Sequence, residues 1–189
     1  MSRLIQRRDD WLRREGQRSI DYSSAIFLAA GSGHFTPGRS LPISLIVLHV
    51  TGSHDQMPHE APPVGLSAMN MFRSEHGNTS AHYIIDRDGT IIQMVRERDT
   101  AHHATNYNRN SIGIEHVSRY DLLLTEIQFR KSVELVSSLC QKYSIPVSRN
   151  INNGICAHGD LSKKKPHCGT GSWNWERYLL EIQQRLATI

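Results

Sequence analysis

SLIVLHV, residues 44–50, is an apolar run of strand length with one histidine set into it. A continuous rather than alternating run of this kind reads as a strand buried on both faces, the central strand of a packed sheet. Working outward, AHYIIDRDGTIIQMV (81–95) holds two β-rich runs around Asp88-Gly89, a pair suited to positive φ, and predicts a hairpin. NSIGIEHV (110–117) predicts a further strand, interrupted by Glu115, and GICAHG (154–159) a short one. Helical patterns lie between. One runs from Leu66 to about Glu75, after a Pro-rich loop, and another from 175 to 186. A third is opened by the capping-box pattern of Thr125 and Gln128 and extends to about Tyr143. Its Phe129, Val133, Val136, Cys140 and Tyr143 recur at helical spacing and form one buried stripe, and Pro146 closes the region. Strands alternating with helices predict an α/β protein with a central sheet flanked by helices.

Upstream of that sheet, residues 3–15 read as a short basic helix and 16–42 as an irregular lead-in, so the expected division is 1–42 and 43–189. The chain of 189 residues is long enough for one self-supporting core. Three cysteines cannot pair fully and are too few for a disulfide framework. Cys140 and Cys156 fall in a helix and a strand and read as buried thiols, whereas Cys168 lies in a polar Gly-rich loop without an evident packing role. No run approaches the ~20 apolar residues of a membrane span. AIFLAA (25–30) falls short of the ~7–15 residues of a signal-peptide core, so the expectation is a protein made in the cytoplasm without a signal peptide. A net charge of +4, with six arginines against three acidic residues in 1–18, favours anionic surroundings such as membrane or wall polymers. Nucleic acid is not an expected partner, because no aromatic-basic binding motif accompanies the charge.

His49 and His158 each interrupt an apolar strand, and an imidazole there is costly unless it is hydrogen-bonded or metal-bound. Each taken singly reads more readily as structural. Together with Cys168, ten residues after the second, they make a His₂Cys set suited to zinc with a fourth position open. Glu115 has poor strand propensity and needs a polar cleft or an arginine partner. In a cleft it has the chemistry to take a proton from water and return it to a leaving amine.

LIVLHVTG, SAHYIIDRDGTIIQMV, AHHATNYNRNSIGIEHV and the segment from His158 to Trp175, in this order, resemble the zinc-dependent N-acetylmuramoyl-L-alanine amidases. That family (amidase type 2) takes in phage amidase endolysins, cytosolic anhydro-muropeptide amidases and peptidoglycan recognition proteins. The resemblance covers roughly residues 43–186. It implies a single domain with a mixed sheet, helices on both faces and one zinc ion per chain. Carried over by position, it implies His49, His158 and Cys168 as metal ligands and Glu115 as the catalytic acid–base group. His82, His103, Asn106 and Tyr107 are implied to line the substrate groove. Many members have an oxyanion-stabilising lysine two residues before the third ligand, where this chain has Pro166; Lys165 and His167 flank that position and are the candidates to replace it.

The implied reaction is hydrolysis of the amide between N-acetylmuramic acid and L-alanine in peptidoglycan or muropeptides. The expected agent is a monomeric wall-lytic endolysin acting on the bacterial cell wall. The alternatives are a cytosolic anhydro-muropeptide recycling amidase and a non-catalytic peptidoglycan-binding module. A non-catalytic module would typically lack the cysteine or the glutamate, and both are present.

Overall fold

The run 44–50 sits inside a six-stranded sheet, as its unbroken apolarity requires. In the computed structural model of the protein, residues 20–52, 65–171 and 173–188 are described. The basic helix expected at 3–15 and most of the Pro-rich loop after β3 lie outside them. The strands are β1 (Ile26–Phe27), β2 (Phe35–Thr36), β3 (Leu45–Gly52), β4 (Tyr83–Ile85), β5 (Ile91–Gln93), β6 (Thr100–Ala101), β7 (Ser111–Arg119) and β8 (Gly154–Ala157). The helices are α1 (Gly65–Arg73), α2 (Glu126–Tyr143), α3 (His158–Leu161) and α4 (Trp175–Leu186). The sheet order is β1-β5-β4-β7-β3-β8, and β2 pairs with β6 in a separate ribbon. β4, β7, β3 and β8 run parallel; β5 returns antiparallel to β4 through the turn at Asp88-Gly89, where Gly89 has φ +86. The sheet is therefore mixed.

Strand parity decides which residues meet. Ile46, Leu48 and Val50 of β3, Ile112 and Ile114 of β7, and Tyr83 and Ile85 of β4 face a core built with α2 and α4. The α2 stripe of Phe129, Val133, Val136 and Cys140 is buried there, worth about 1.5–3 kcal/mol for each large apolar side chain. On the other face, Ala68 and Phe72 of α1 cover Ile84, Ile92 and Val117. Helices thus lie on both faces. Leu45, Val47 and Cys156 also point to the second face, beside Ala104 and the half-buried Tyr107 and Leu161. Among the described residues that corner carries no long helix, which leaves room for a site.

Three local expectations are corrected. The lead-in is not irregular from residue 20 onward. β1 pairs with β5, β2 pairs with β6, and the Asp21 carboxylate accepts the Glu97 backbone N–H, so a boundary at 42/43 does not separate this stretch from the sheet. Two-residue strands are too short to carry a readable period. His158 does not lie within a strand: β8 ends at Ala157, and His158 begins α3. The capping box at α2 is only half formed. Thr125 Oγ1 accepts the Gln128 N–H, but the Gln128 amide turns inward and donates to the carbonyls of Ile85 and Val117.

Candidate metal centre

His49 and Glu115 are register partners on β3 and β7, so their side chains emerge side by side on the open corner of the sheet. His49 Nδ1 lies 3.9 Å from Glu115 Oε1. His158 follows β8 directly, and its ring centroid is 4.6 Å from that of His49. Cys168 arrives from the loop after α3. Its carbonyl accepts the Gly159 N–H at 2.8 Å, and two glycines allow the approach. A Cβ at Gly159 would stand 2.4 Å from the Pro166 carbonyl oxygen; one at Gly169, where φ is +76, would stand 2.6 Å from that of Leu48. The loop therefore lies directly against the backbone of β3.

The three residues His49, His158 and Cys168 are buried, and one donor atom from each lies within 4.8 Å of the other two. Burial pushes the Cys168 thiol up to about 12, and among the described residues its polar contact is the Val50 carbonyl at 3.8 Å. Burial also holds His49 well below the usual histidine range, and His158 at about 4, which keeps both rings in the neutral form that ligates metal. Two neutral imidazoles and a thiol without a strong partner fit a tetrahedral zinc ion, whose charge would draw off the thiol proton.

Beside this set, Glu115 Oε2 is buried and has no hydrogen-bond partner among the described residues. Burial raises the carboxyl to about 7, against the opposing charge of Lys165. An orphaned buried oxygen is costly and calls for a functional account. The next residue, His116, points the other way. Its Nδ1 meets the His49 carbonyl at 3.1 Å, its Nε2 meets Ser132 Oγ at 2.8 Å, and its ring stands edge-on to Trp173. Opposite strand faces make neighbours in sequence a site residue and a core residue.

His103 rises over β7 at Gly113, where a Cβ would fall 2.5 Å from its ring. The Asn108 carboxamide oxygen holds this turn by accepting the N–H groups of His103 and Ala104 at 3.0 and 2.6 Å. His103 lines an open cleft of about 430 Å³ together with Asn78, Thr79, His102, His158 and Lys165. His82 does not line it. This histidine is fully buried, its Nδ1 accepting the Gly113 N–H at 3.0 Å and its Nε2 lying 2.6 Å from Arg39 Nη2. Arg39 also donates to the backbone carbonyls of Glu97 and Asn108, and thereby ties the turn carrying His103 to the sheet. Burial lowers its guanidinium to about 10.

Asn106 is exposed, and Tyr107 packs on the core beside Leu45 and Val47 rather than standing in the cleft. Lys165 is exposed on the cleft wall, and its charge bears on Glu115, His49, His158 and Cys168. His167 is turned toward Tyr120, with ring centroids 6.5 Å apart. Sequence reasoning missed Arg39 and Ser111, whose partners lie far away or beneath the site.

A family model described as N-acetylmuramoyl-L-alanine amidase matches residues 39–177. N-acetylmuramoyl-L-alanine amidase A of Achromobacter lyticus is 32% identical over 102 residues, 53% of this chain and 51% of that protein. The chain thus spans about half the length of that relative. The endolysin of Enterobacteria phage T3 is 30% identical over 131 residues, 65% of this chain and 82% of that protein. A crystal structure of an AmpD derivative superposes with a TM-score of 0.70 at 22% identity, covering 85% of this chain and 95% of the other, a likeness of fold. With the family's pattern spanning the sheet, His49, Glu115, His158 and Cys168 alike, the chain belongs to the N-acetylmuramoyl-L-alanine amidase family.

Proposed function

We propose that the protein is a zinc-dependent N-acetylmuramoyl-L-alanine amidase that hydrolyses the bond between the lactyl carbonyl of N-acetylmuramic acid and the amine of L-alanine. One observation carries the reading: a buried His₂Cys donor set stands beside a half-buried glutamate whose buried Oε2 has no partner among the described residues, at the edge of an open cleft. His49, His158 and Cys168 would hold the ion, which when bound supplies a Lewis acid for the scissile carbonyl. Glu115 takes a proton from the attacking water. Oxygen adds to the carbonyl carbon, the C–N bond breaks, and Glu115 returns the proton to the departing nitrogen. A carboxyl raised to about 7 is poised to both accept and give a proton near neutrality. Lys165 places a positive charge on the same wall, suited to the developing oxyanion. His103 and His102 line the cleft with both ring nitrogens of each engaged within the protein, so they shape the wall along which the sugar or peptide lies.

The wall-lytic setting is favoured by the likeness to the phage T3 endolysin and by the basic charge. Digestion of intact sacculi and of soluble anhydro-muropeptides, run side by side, tests both parts. New L-alanine amino termini without new reducing ends are expected, with faster turnover on sacculi. New reducing ends without free amines would overturn the amidase reading; turnover confined to anhydro-muropeptides would overturn the lytic setting alone.

A further inference from the structure

We propose that Ser111 is a positioning residue that sets, through His103, which ring nitrogen of His49 faces the metal. The inference rests on the metal site proposed above and on a chain of four hydrogen-bonding groups. Ser111 Oγ lies 2.6 Å from the Tyr107 carbonyl oxygen and 3.1 Å from His103 Nε2. A carbonyl only accepts, so the single hydroxyl proton of Ser111 is committed to Tyr107. Toward His103 the hydroxyl has only lone pairs left, and His103 Nε2 must donate.

A neutral imidazole has one ring proton, so His103 Nδ1 is an acceptor. It lies 3.0 Å from His49 Nε2, which must therefore carry the proton of His49. That leaves the lone pair of His49 on Nδ1. This is the nitrogen on the side of Glu115, 3.9 Å from Oε1, and so the one directed at the catalytic carboxyl. The polarity runs one way along Tyr107, Ser111, His103 and His49, and Ser111 is the member that fixes its direction.

Two features hold the chain in place. Gly113 gives His103 room to lie against β7, where any Cβ would collide with the ring. Ser111 is the first residue of β7 and is wholly buried, so water does not supply a substitute partner from bulk. Without the hydroxyl, His103 is free to carry its proton on Nδ1. That proton would then confront the one on His49 Nε2, and His49 would have to release its own or turn its ring. Groups that orient a ligating histidine in this manner commonly govern metal affinity by 10–100-fold.

The test is the tautomeric state of the histidines in the full-length, metal-free protein at about pH 8, read by nitrogen-15 NMR of the imidazole rings. It is coupled to zinc affinity from chelator competition. In the unsubstituted protein, His49 and His103 are expected to carry their protons on Nε2. Ser111→Ala should mix the His103 tautomers and weaken zinc binding about 10–100-fold. Ser111→Thr, which keeps the hydroxyl, should restore both. A structural role alone would lower the melting temperature and leave the tautomers unchanged. A proton on His103 Nδ1 in the unsubstituted protein overturns the proposal, as does a Ser111→Ala protein with unchanged tautomers and zinc affinity. Should Ser111→Ala not fold, the spectrum of the unsubstituted protein decides. A protein that takes up no zinc yet shows the expected tautomers would defeat the metal reading while leaving the hydrogen-bond chain standing.

Discussion

Glu115 carries the most specific demand on any single residue. Its side chain is half-buried, its carboxyl is raised to about 7, and its buried Oε2 has no partner among the described residues, which is costly to the fold. Glu115→Gln removes the proposed proton acceptor but keeps the shape, and it replaces a desolvated acid with a neutral amide. Turnover on a soluble muropeptide should fall about 10²–10⁴-fold. The zinc content should not change, and the melting temperature should hold or rise. A structural carboxylate would give the reverse: near-normal turnover with a lower melting temperature. Steady-state rates and calorimetry on the same preparation separate the two. Glu115 was readable from the sequence because a carboxylate in SIGIEHV breaks a local rule. Arg39 was not. Its meaning comes from His82, 43 residues away, and no local pattern marks that pairing.

At the scale of elements, the join between α2 and the sheet rests on Gln128. Its amide is wholly buried and donates to the carbonyls of Ile85 on β4 and Val117 on β7, at 2.9 and 3.2 Å. Gln128→Leu keeps the bulk and removes the donor those two carbonyls share. The expected cost is about 1–3 kcal/mol in urea unfolding, with turnover preserved, because the side chain enters from the helical face. Unchanged stability would mean that water or a shifted side chain takes its place. Elements with a strong local signature were legible: the apolar β3, the Asp-Gly hairpin of β4 and β5, and the α2 stripe. β1 was hidden because two residues have no period, and the start of α3 at His158 because GICAH reads smoothly as a strand. The proposed ligands stood out in the sequence as anomalies, whereas Ser111 looked ordinary. Only strand parity and the fold of the 105–110 turn bring it under His103.

Across the whole molecule, buried imidazoles make stability depend on pH. Burial lowers His49, His82 and His103 well below the usual range, His158 to about 4 and His116 to about 3. Each binds its proton more readily unfolded, where the ordinary value is 6.5, so its contribution is full above 6.5 and is lost as pH falls toward the folded value. Glu115 opposes this, since a raised carboxyl favours the folded state more at low pH. Five histidines against one carboxyl leave a net loss on acidification. Metal-free protein should unfold at lower urea concentration at pH 4.5 than at pH 7, each histidine contributing a slope of up to about 1.4 kcal/mol per pH unit. A midpoint independent of pH would contradict the burial of these rings as neutral groups. The central claim joins that buried site to the reaction, and a zinc titration reaches it most directly. Metal-stripped protein is titrated with zinc while release of L-alanine amino termini from a soluble muropeptide is followed. Activity should rise from near zero and saturate at about one equivalent, with no recovery in Cys168→Ala. Full activity in the metal-free protein, or unimpaired recovery in Cys168→Ala, would contradict the account.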